Sequence, residues 1–117
     1  MAEYILKNKT DKIYCESRAT SSEEMGNDIY PPAKRCLDRH GIKYNRHYAT
    51  KINQNDYDNF DEIYVMDTYN MHNILRIVDD SEHKIKMLCP YDIEDPWFSD
   101  NFELVYKQIN DAIDKLL

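Results

Sequence analysis

The stretch DEIYVMDTYNMHNILRIV at residues 61–78 joins a strand pattern directly to a helix pattern. Apolar and aromatic residues of the strand-forming type are concentrated at 63–66, and Asp67 ends the run. Beyond it, four apolar residues recur at helical spacing on one side: Met71, Ile74, Leu75 and Val78. A second strand pattern, Ile85–Cys89, follows and stops at Pro90. A strand, a helix and another strand in this order predict parallel strands joined by a right-handed crossover.

Outside this stretch, the sequence predicts one further strand and four further helices. The strand is Lys12–Ser17, where apolar and polar residues alternate. The helices are residues 1–9, Ala33–His40 between Pro31-Pro32 and Gly41, a short helix capped by Asn53, and a last helix capped by Asp100 with Glu103 three positions on. The element order predicts one α/β domain over residues 1–117, a parallel sheet with helices on both faces in three layers.

The last helix carries an apolar stripe that predicts core packing: Phe102, Tyr106, Ile109, Ile113 and Leu116.

Net charge is −7 with no basic cluster, which argues against nucleic-acid binding. No apolar run approaches the ~20 residues of a membrane span, and no leader pattern is present, so we expect a cytoplasmic protein. Three cysteines form no C-x-x-C pair, which argues against zinc and disulfide frameworks. Only two glycines are present, so a glycine-rich phosphate loop is excluded.

The loop Asp95-Pro96-Trp97-Phe98 is the candidate functional element. Pro96 restricts the backbone on both sides, and two aromatic side chains offer apolar walls beside the carboxylate. Such a carboxyl group suits proton transfer at the mouth of a pocket; the competing interpretation is a turn anchored by buried aromatics. Because Ser17, Asp67 and this loop each follow a predicted strand, we expect them at the carboxyl edge of the sheet.

Six short motifs in order, with the opening Met1-Ala2-Glu3, resemble the low-molecular-weight protein tyrosine phosphatases across essentially the whole chain. They are ESRATS from Glu16, YPPA from Tyr30, RHGI from Arg39, YATK from Tyr48, VMD from Val65 and EDPWF from Glu94. The resemblance implies the phosphotyrosine protein phosphatase I-like fold with a four-stranded parallel sheet. It also implies hydrolysis of a phosphotyrosine protein or a small aryl phosphate through a phosphocysteine, without a metal or other cofactor.

The resemblance also implies roles for individual residues. Asp95 would be the general acid/base that protonates the leaving tyrosine oxygen and then activates water. The remaining positions would flank the substrate or support the phosphate loop: Trp97 and Phe98 beside the aryl group, Glu23 in the substrate wall, and Ser17 and His47 behind the loop. Asp67 matches a family aspartate near the site, and we assign it a structural role. His40 and His72 are interpreted as surface residues rather than ligands.

The sequence departs from the family pattern at the nucleophile. Family members have a strand and a C-x5-R-S-P loop before M-A-E, where this sequence begins. Six positions after Cys15, Cys36 and Cys89 stand Ser21, Ile42 and Asp95, so none is followed by the required arginine. We therefore expect no phosphatase activity from the chain as written, whether the cause is a misassigned start codon, a deliberate shortening or a natural deletion.

Loss of an inner strand would leave the neighbouring strands with unpaired edges, and we expect low stability or self-association through them. The alternative function is a non-catalytic binding or regulatory module that keeps the Asp95 loop as a docking surface. Arsenate reductases and protein-arginine phosphatases share the scaffold, but the aromatic pair suits an aryl phosphate better than arsenate.

Overall fold

The computed structural model describes residues 1–22 and 25–117, with the backbone alone at residues 97 and 98. The described part of the chain contains six helices and two strands. In order they are α1 (Ala2–Lys9), α2 (Pro31–Arg39), α3 (Gln54–Asn59), β1 (Ile63–Val65), α4 (Thr68–Ile77), β2 (Ile85–Met87), α5 (Pro96–Ser99) and α6 (Phe102–Leu116).

The two strands pair in parallel, as the stretch at residues 61–78 predicts. Ile63 lies opposite Ile85 and Val65 opposite Met87, and α4 provides the connection between them. The carboxyl ends of both strands therefore lie at the same edge of the sheet. The structure confirms an α/β protein whose parallel sheet is flanked by helices.

The predicted strand Lys12–Ser17 is wrong. No backbone–backbone hydrogen bond joins residues 11–18 to any other residue that the structure describes. Pairing begins only at Ala19, in a single parallel bridge to Lys51. An alternating pattern becomes a strand only beside a second strand that satisfies its backbone groups. Ile13 and Tyr14 consequently remain 49% and 77% exposed, and self-association through this segment stays a prediction.

Short side chains cap α3, α4 and α6, and only the cap at Asn53 is one that the sequence predicted. Asn53 and Asp56 form a reciprocal capping box at α3, and the Asp67 carboxylate accepts a 2.7 Å hydrogen bond from the Asn70 N–H in α4. At α6 the prediction was wrong by one residue, because Asn101 rather than Asp100 is the cap. Asp100 takes a left-handed φ of 58° and donates its N–H to the Pro96 carbonyl, which ends α5.

The C-terminal helix α6 provides much of the core and packs against α1 and α2. Its buried residues are Phe102, Val105, Ile109, Ala112 and Ile113. The predicted stripe was wrong at Leu116, which is exposed. A second cluster lies between the strands and α4, where Ile74 and Val78 are buried, whereas Leu75 of the predicted apolar face is exposed. None of the described helices combines the length and apolar character that a bilayer span requires.

Candidate active site

The Asp95 loop is fastened to the carboxyl end of β1. Ile93, buried in the main core cluster, donates its N–H to the Met66 carbonyl at 2.9 Å. The Asp92 carboxylate accepts hydrogen bonds from the N–H and hydroxyl of Thr68 at the start of α4. Asp95 itself is exposed and directly precedes α5, which begins at Pro96. Two anchored residues therefore hold an accessible carboxylate at the edge where parallel sheets bind ligands.

Ser17 and His47 come together beside a carboxylate that the sequence analysis did not select. The Ser17 hydroxyl donates to Glu3 Oε1 at 2.7 Å and lies 3.5 Å from His47 Nε2. His47 Nδ1 lies 3.9 Å from the same Glu3 oxygen. Glu3 is on α1 and only 9% exposed. Glu3 belongs to the opening Met1-Ala2-Glu3 motif, but an acidic residue in the first turn of a helix is common and indicates no function by itself. Only the fold shows that this carboxylate is buried.

The charge of Glu3 is stabilised by its neighbours. Burial acts to raise the pKa of Glu3, but hydrogen bonds from Lys7 and Ser17 and the nearby positive charges outweigh it and lower the pKa. The Lys7 ammonium contributes a 2.6 Å bond to Glu3 Oε2. The carboxylate therefore stays ionised at neutral pH and can hold Ser17 and His47 in place.

A cleft of about 320 Å³ opens beside these residues, with Ser17, Arg18, Arg46 and His47 among its lining. Arg18, which directly follows Ser17, is held by two contacts. Its guanidinium bonds to Asp56 at 3.2 Å and to the Ser17 carbonyl at 2.8 Å. Arg18 thus joins the Ser17 segment to the start of α3 and fixes one wall of the cleft.

The other three predicted site residues lie wholly or partly outside the described part of the chain. Glu23 lies outside the described residues, as do the side chains of Trp97 and Phe98, whose backbone belongs to α5. The described contacts bring Ser17 and His47 together at the cleft, whereas Asp95 is anchored through β1 and α4.

The cysteines have the character of packed thiols. Cys36 and Cys89 are buried, and Cys15 is partly buried. Burial, followed by the charge of Glu3, raises the pKa of the Cys15 thiol. A nucleophilic cysteine requires the opposite shift, because the thiolate is the reactive form.

Glu3→Gln is expected to lower the free energy of unfolding at pH 7 by about 1–3 kcal/mol, because it weakens charged hydrogen bonds in a buried position. The folded-state pKa of Glu3 lies below its ordinary 4.5, so the carboxylate stabilises the fold above that pH and loses this contribution as pH falls through the lower value. The difference between wild type and variant should therefore shrink below about pH 4.5.

Urea unfolding at several pH values measures this difference. Glu82→Gln is the matched control, because Glu82 pairs with Lys84 at 3.0 Å but is 64% exposed. An equal loss in both variants, or a Glu3→Gln deficit that grows on acidification, would contradict the assignment.

Known proteins are similar to this chain in both sequence and fold. The family profile for low molecular weight phosphotyrosine protein phosphatase matches residues 1–117. The low molecular weight phosphotyrosine protein phosphatase of Gallus gallus is 36% identical over 109 residues, which cover 84% of this chain and 68% of that protein. The PtpA protein-tyrosine-phosphatase of Staphylococcus saprophyticus is 28% identical, with 100% of this chain and 82% of that protein covered.

Among solved structures, the low molecular weight protein tyrosine phosphatase SP-PTP of Streptococcus pyogenes superposes with a TM-score of 0.90 at 29% identity. The match covers 99% of this chain and 80% of that one. The parallel sheet and its carboxyl-edge loop thus define an α/β domain of the tyrosine phosphatase type. With the profile match over its whole length, the chain belongs to the low molecular weight phosphotyrosine protein phosphatase family.

Proposed function

We propose that this chain carries the acid–base part of a phosphotyrosine phosphatase site, with Asp95 as the proton donor. Asp95 would protonate the leaving tyrosine oxygen and then, as a base, activate the water that hydrolyses the phosphoenzyme. The main support for this proposal is the 2.9 Å hydrogen bond from the Ile93 N–H to the Met66 carbonyl. It holds the loop, and with it an exposed carboxylate, at the ligand-binding edge of the sheet.

The other site residues support the same chemistry. Trp97, Phe98 and Glu23 would flank the substrate, which is a phosphotyrosine protein or a small aryl phosphate. Ser17 and His47, held by Glu3, would hydrogen-bond to the phosphate-binding loop that family members carry. The two arginines of the cleft are already engaged by carboxylates, Arg18 by Asp56 and Arg46 by Asp28, so they are poorly suited to replace the phosphate-binding arginine.

The 117-residue polypeptide should not turn over phosphate esters by itself. Proton transfer alone accelerates a reaction by about 10²–10⁴-fold. The remaining acceleration comes from the thiolate nucleophile and from the donors that stabilise the oxyanion. None of its three cysteines is followed six positions later by arginine. Cys15, the least buried of them, has a raised pKa.

Hydrolysis of p-nitrophenyl phosphate by the purified 117-residue polypeptide tests this expectation. We expect the rate of buffer alone, unchanged by Asp95→Asn. An active relative assayed in parallel serves as the positive control. Turnover above buffer that Asp95→Asn abolishes would show that the polypeptide contains a nucleophile that we have not identified.

A further inference from the structure

Three metal-ligating side chains meet where α2 contacts α6, away from the Ser17 cleft. Cys36 lies on α2, His40 four residues on is the C-cap residue of α2, and Glu103 lies in the first turn of α6. Cys36 Sγ is 3.6 Å from Glu103 Oε1, and His40 Nε2 is 2.7 Å from Glu103 Oε2. One ligand atom from each residue lies within 4.8 Å of the other two.

These distances suit a tetrahedral ion. Donors about 2.0–2.3 Å from Zn²⁺ lie roughly 3.3–3.7 Å from one another. The sulfur–oxygen distance already has this value. His40 Nε2 contacts the other carboxylate oxygen, Glu103 Oε2, and this pair must open by roughly half an ångström as the ion takes the place of their hydrogen bond.

The surrounding residues hold the donors in orientation. The His40 ring stacks on Tyr106 with centroids 3.7 Å apart and planes 10° from parallel. Cys36 is fully buried, and its sulfur also lies 3.6 Å from the Phe102 carbonyl. Arg39 Nε donates to Glu103 Oε1 at 2.7 Å. Outer partners of this kind fix metal ligands in orientation.

The site is open to ions on one side. His40 and Glu103 are exposed, and a cleft of about 240 Å³, which is also lined by Arg35, Arg39 and Asp100, borders Glu103. The positive charge of Arg39 opposes a cation, but the Glu103 carboxylate and a Cys36 thiolate together contribute two negative charges. Binding releases the thiol proton to solvent, and a proton on His40 Nε2 is released with it or moves to Nδ1.

We propose that Cys36, His40 and Glu103 form a site for a divalent transition metal, with Zn²⁺ as the ion that the thiolate, imidazole and carboxylate donors fit best. Because the ion joins α2 to α6, occupancy stabilises the fold. Sequence spacing could not reveal the site, because Glu103 lies 63 residues from His40 along the chain.

Titration with Zn²⁺ and Co²⁺ tests the proposal on the whole chain. We expect one ion per chain, a thiolate-to-cobalt charge-transfer band and a higher melting temperature with Zn²⁺. His40→Gln and Glu103→Gln should each weaken Zn²⁺ binding at least about tenfold, and Cys36→Ala should abolish the band. His72→Gln is the matched control: its histidine lies exposed on α4 beside Arg76, and binding should not change.

Several results would overturn the site. These are a wild type without the cobalt–thiolate band, Zn²⁺ binding that persists in both His40→Gln and Glu103→Gln, or an equal loss in His72→Gln. Cys36 is a core residue, so Cys36→Ala can fail to fold; the two variants at exposed side chains then decide the question, with circular dichroism as the check on their folding.

Discussion

Asp95→Asn is expected to lower kcat by about 10²- to 10⁴-fold when the 117 residues are preceded by a strand and C-x5-R loop of the family pattern. The substitution keeps the shape of the side chain and removes its ability to donate a proton to the leaving group. The phosphotyrosine leaving group has a pKa of about 10, so it depends strongly on that proton. The more acidic p-nitrophenol should depend on it less, and its turnover should therefore fall less.

Steady-state kinetics of the chimera on a phosphotyrosine peptide and on p-nitrophenyl phosphate measure both effects. Glu94→Gln is the matched control, because Glu94 is the exposed neighbour of Asp95 and has no role in the proposed chemistry. If Asp95→Asn behaves like Glu94→Gln, or acts equally on both substrates, Asp95 is not the proton donor. An inactive chimera with intact fold would contradict the expectation that these residues complete a phosphatase site.

Ile74→Ala is expected to lower the free energy of unfolding by about 2–5 kcal/mol, the usual cost of a large aliphatic side chain removed from a packed core. Ile74 is 1% exposed and belongs to the cluster that joins α4 to both strands. Loss of this contact loosens the crossover that sets the parallel pair, so the effect should exceed that of a surface change.

Leu75→Ala provides the comparison within the same turn of the helix. Leu75 is 50% exposed, and its truncation should cost less than about 1 kcal/mol. Urea unfolding of both variants gives the two values. Similar losses at the two positions would show that the packing of α4 differs from the one described here.

The difference in burial between Ile74 and Leu75 shows how precisely the sequence could predict the fold. Helical spacing placed both Ile74 and Leu75 on the apolar side of α4, because a period of 3.6 residues defines a face only to within one position. The positions of α1 to α4 and α6, the cap at Asn53 and the parallel order of the two strands followed from local patterns. The strand at Lys12–Ser17 did not form, because its local alternation lacked a neighbouring strand to pair with.

The sequence likewise predicted some residues of the candidate site and missed others. The motif around Asp95 and Pro96 was visible in the sequence, as were Ser17 and His47. Glu3 was not selected, because its burial depends on how α1 packs against the segments that carry Ser17 and His47. Glu103 was interpreted as part of a cap of α6, whereas it reaches across to Arg39 and His40 at the C-terminal end of α2.

The sequence by itself determined the family, the strand–helix–strand order with parallel strands and the residue types available for proton transfer. These depend on residue order and on spacings within a few positions. Only the tertiary structure decided which carboxylate supports Ser17 and His47, where the Asp95 loop is fastened, and that Cys36, His40 and Glu103 converge. Those features depend on contacts between residues far apart in the chain, and short-range periodicity carries no information about them.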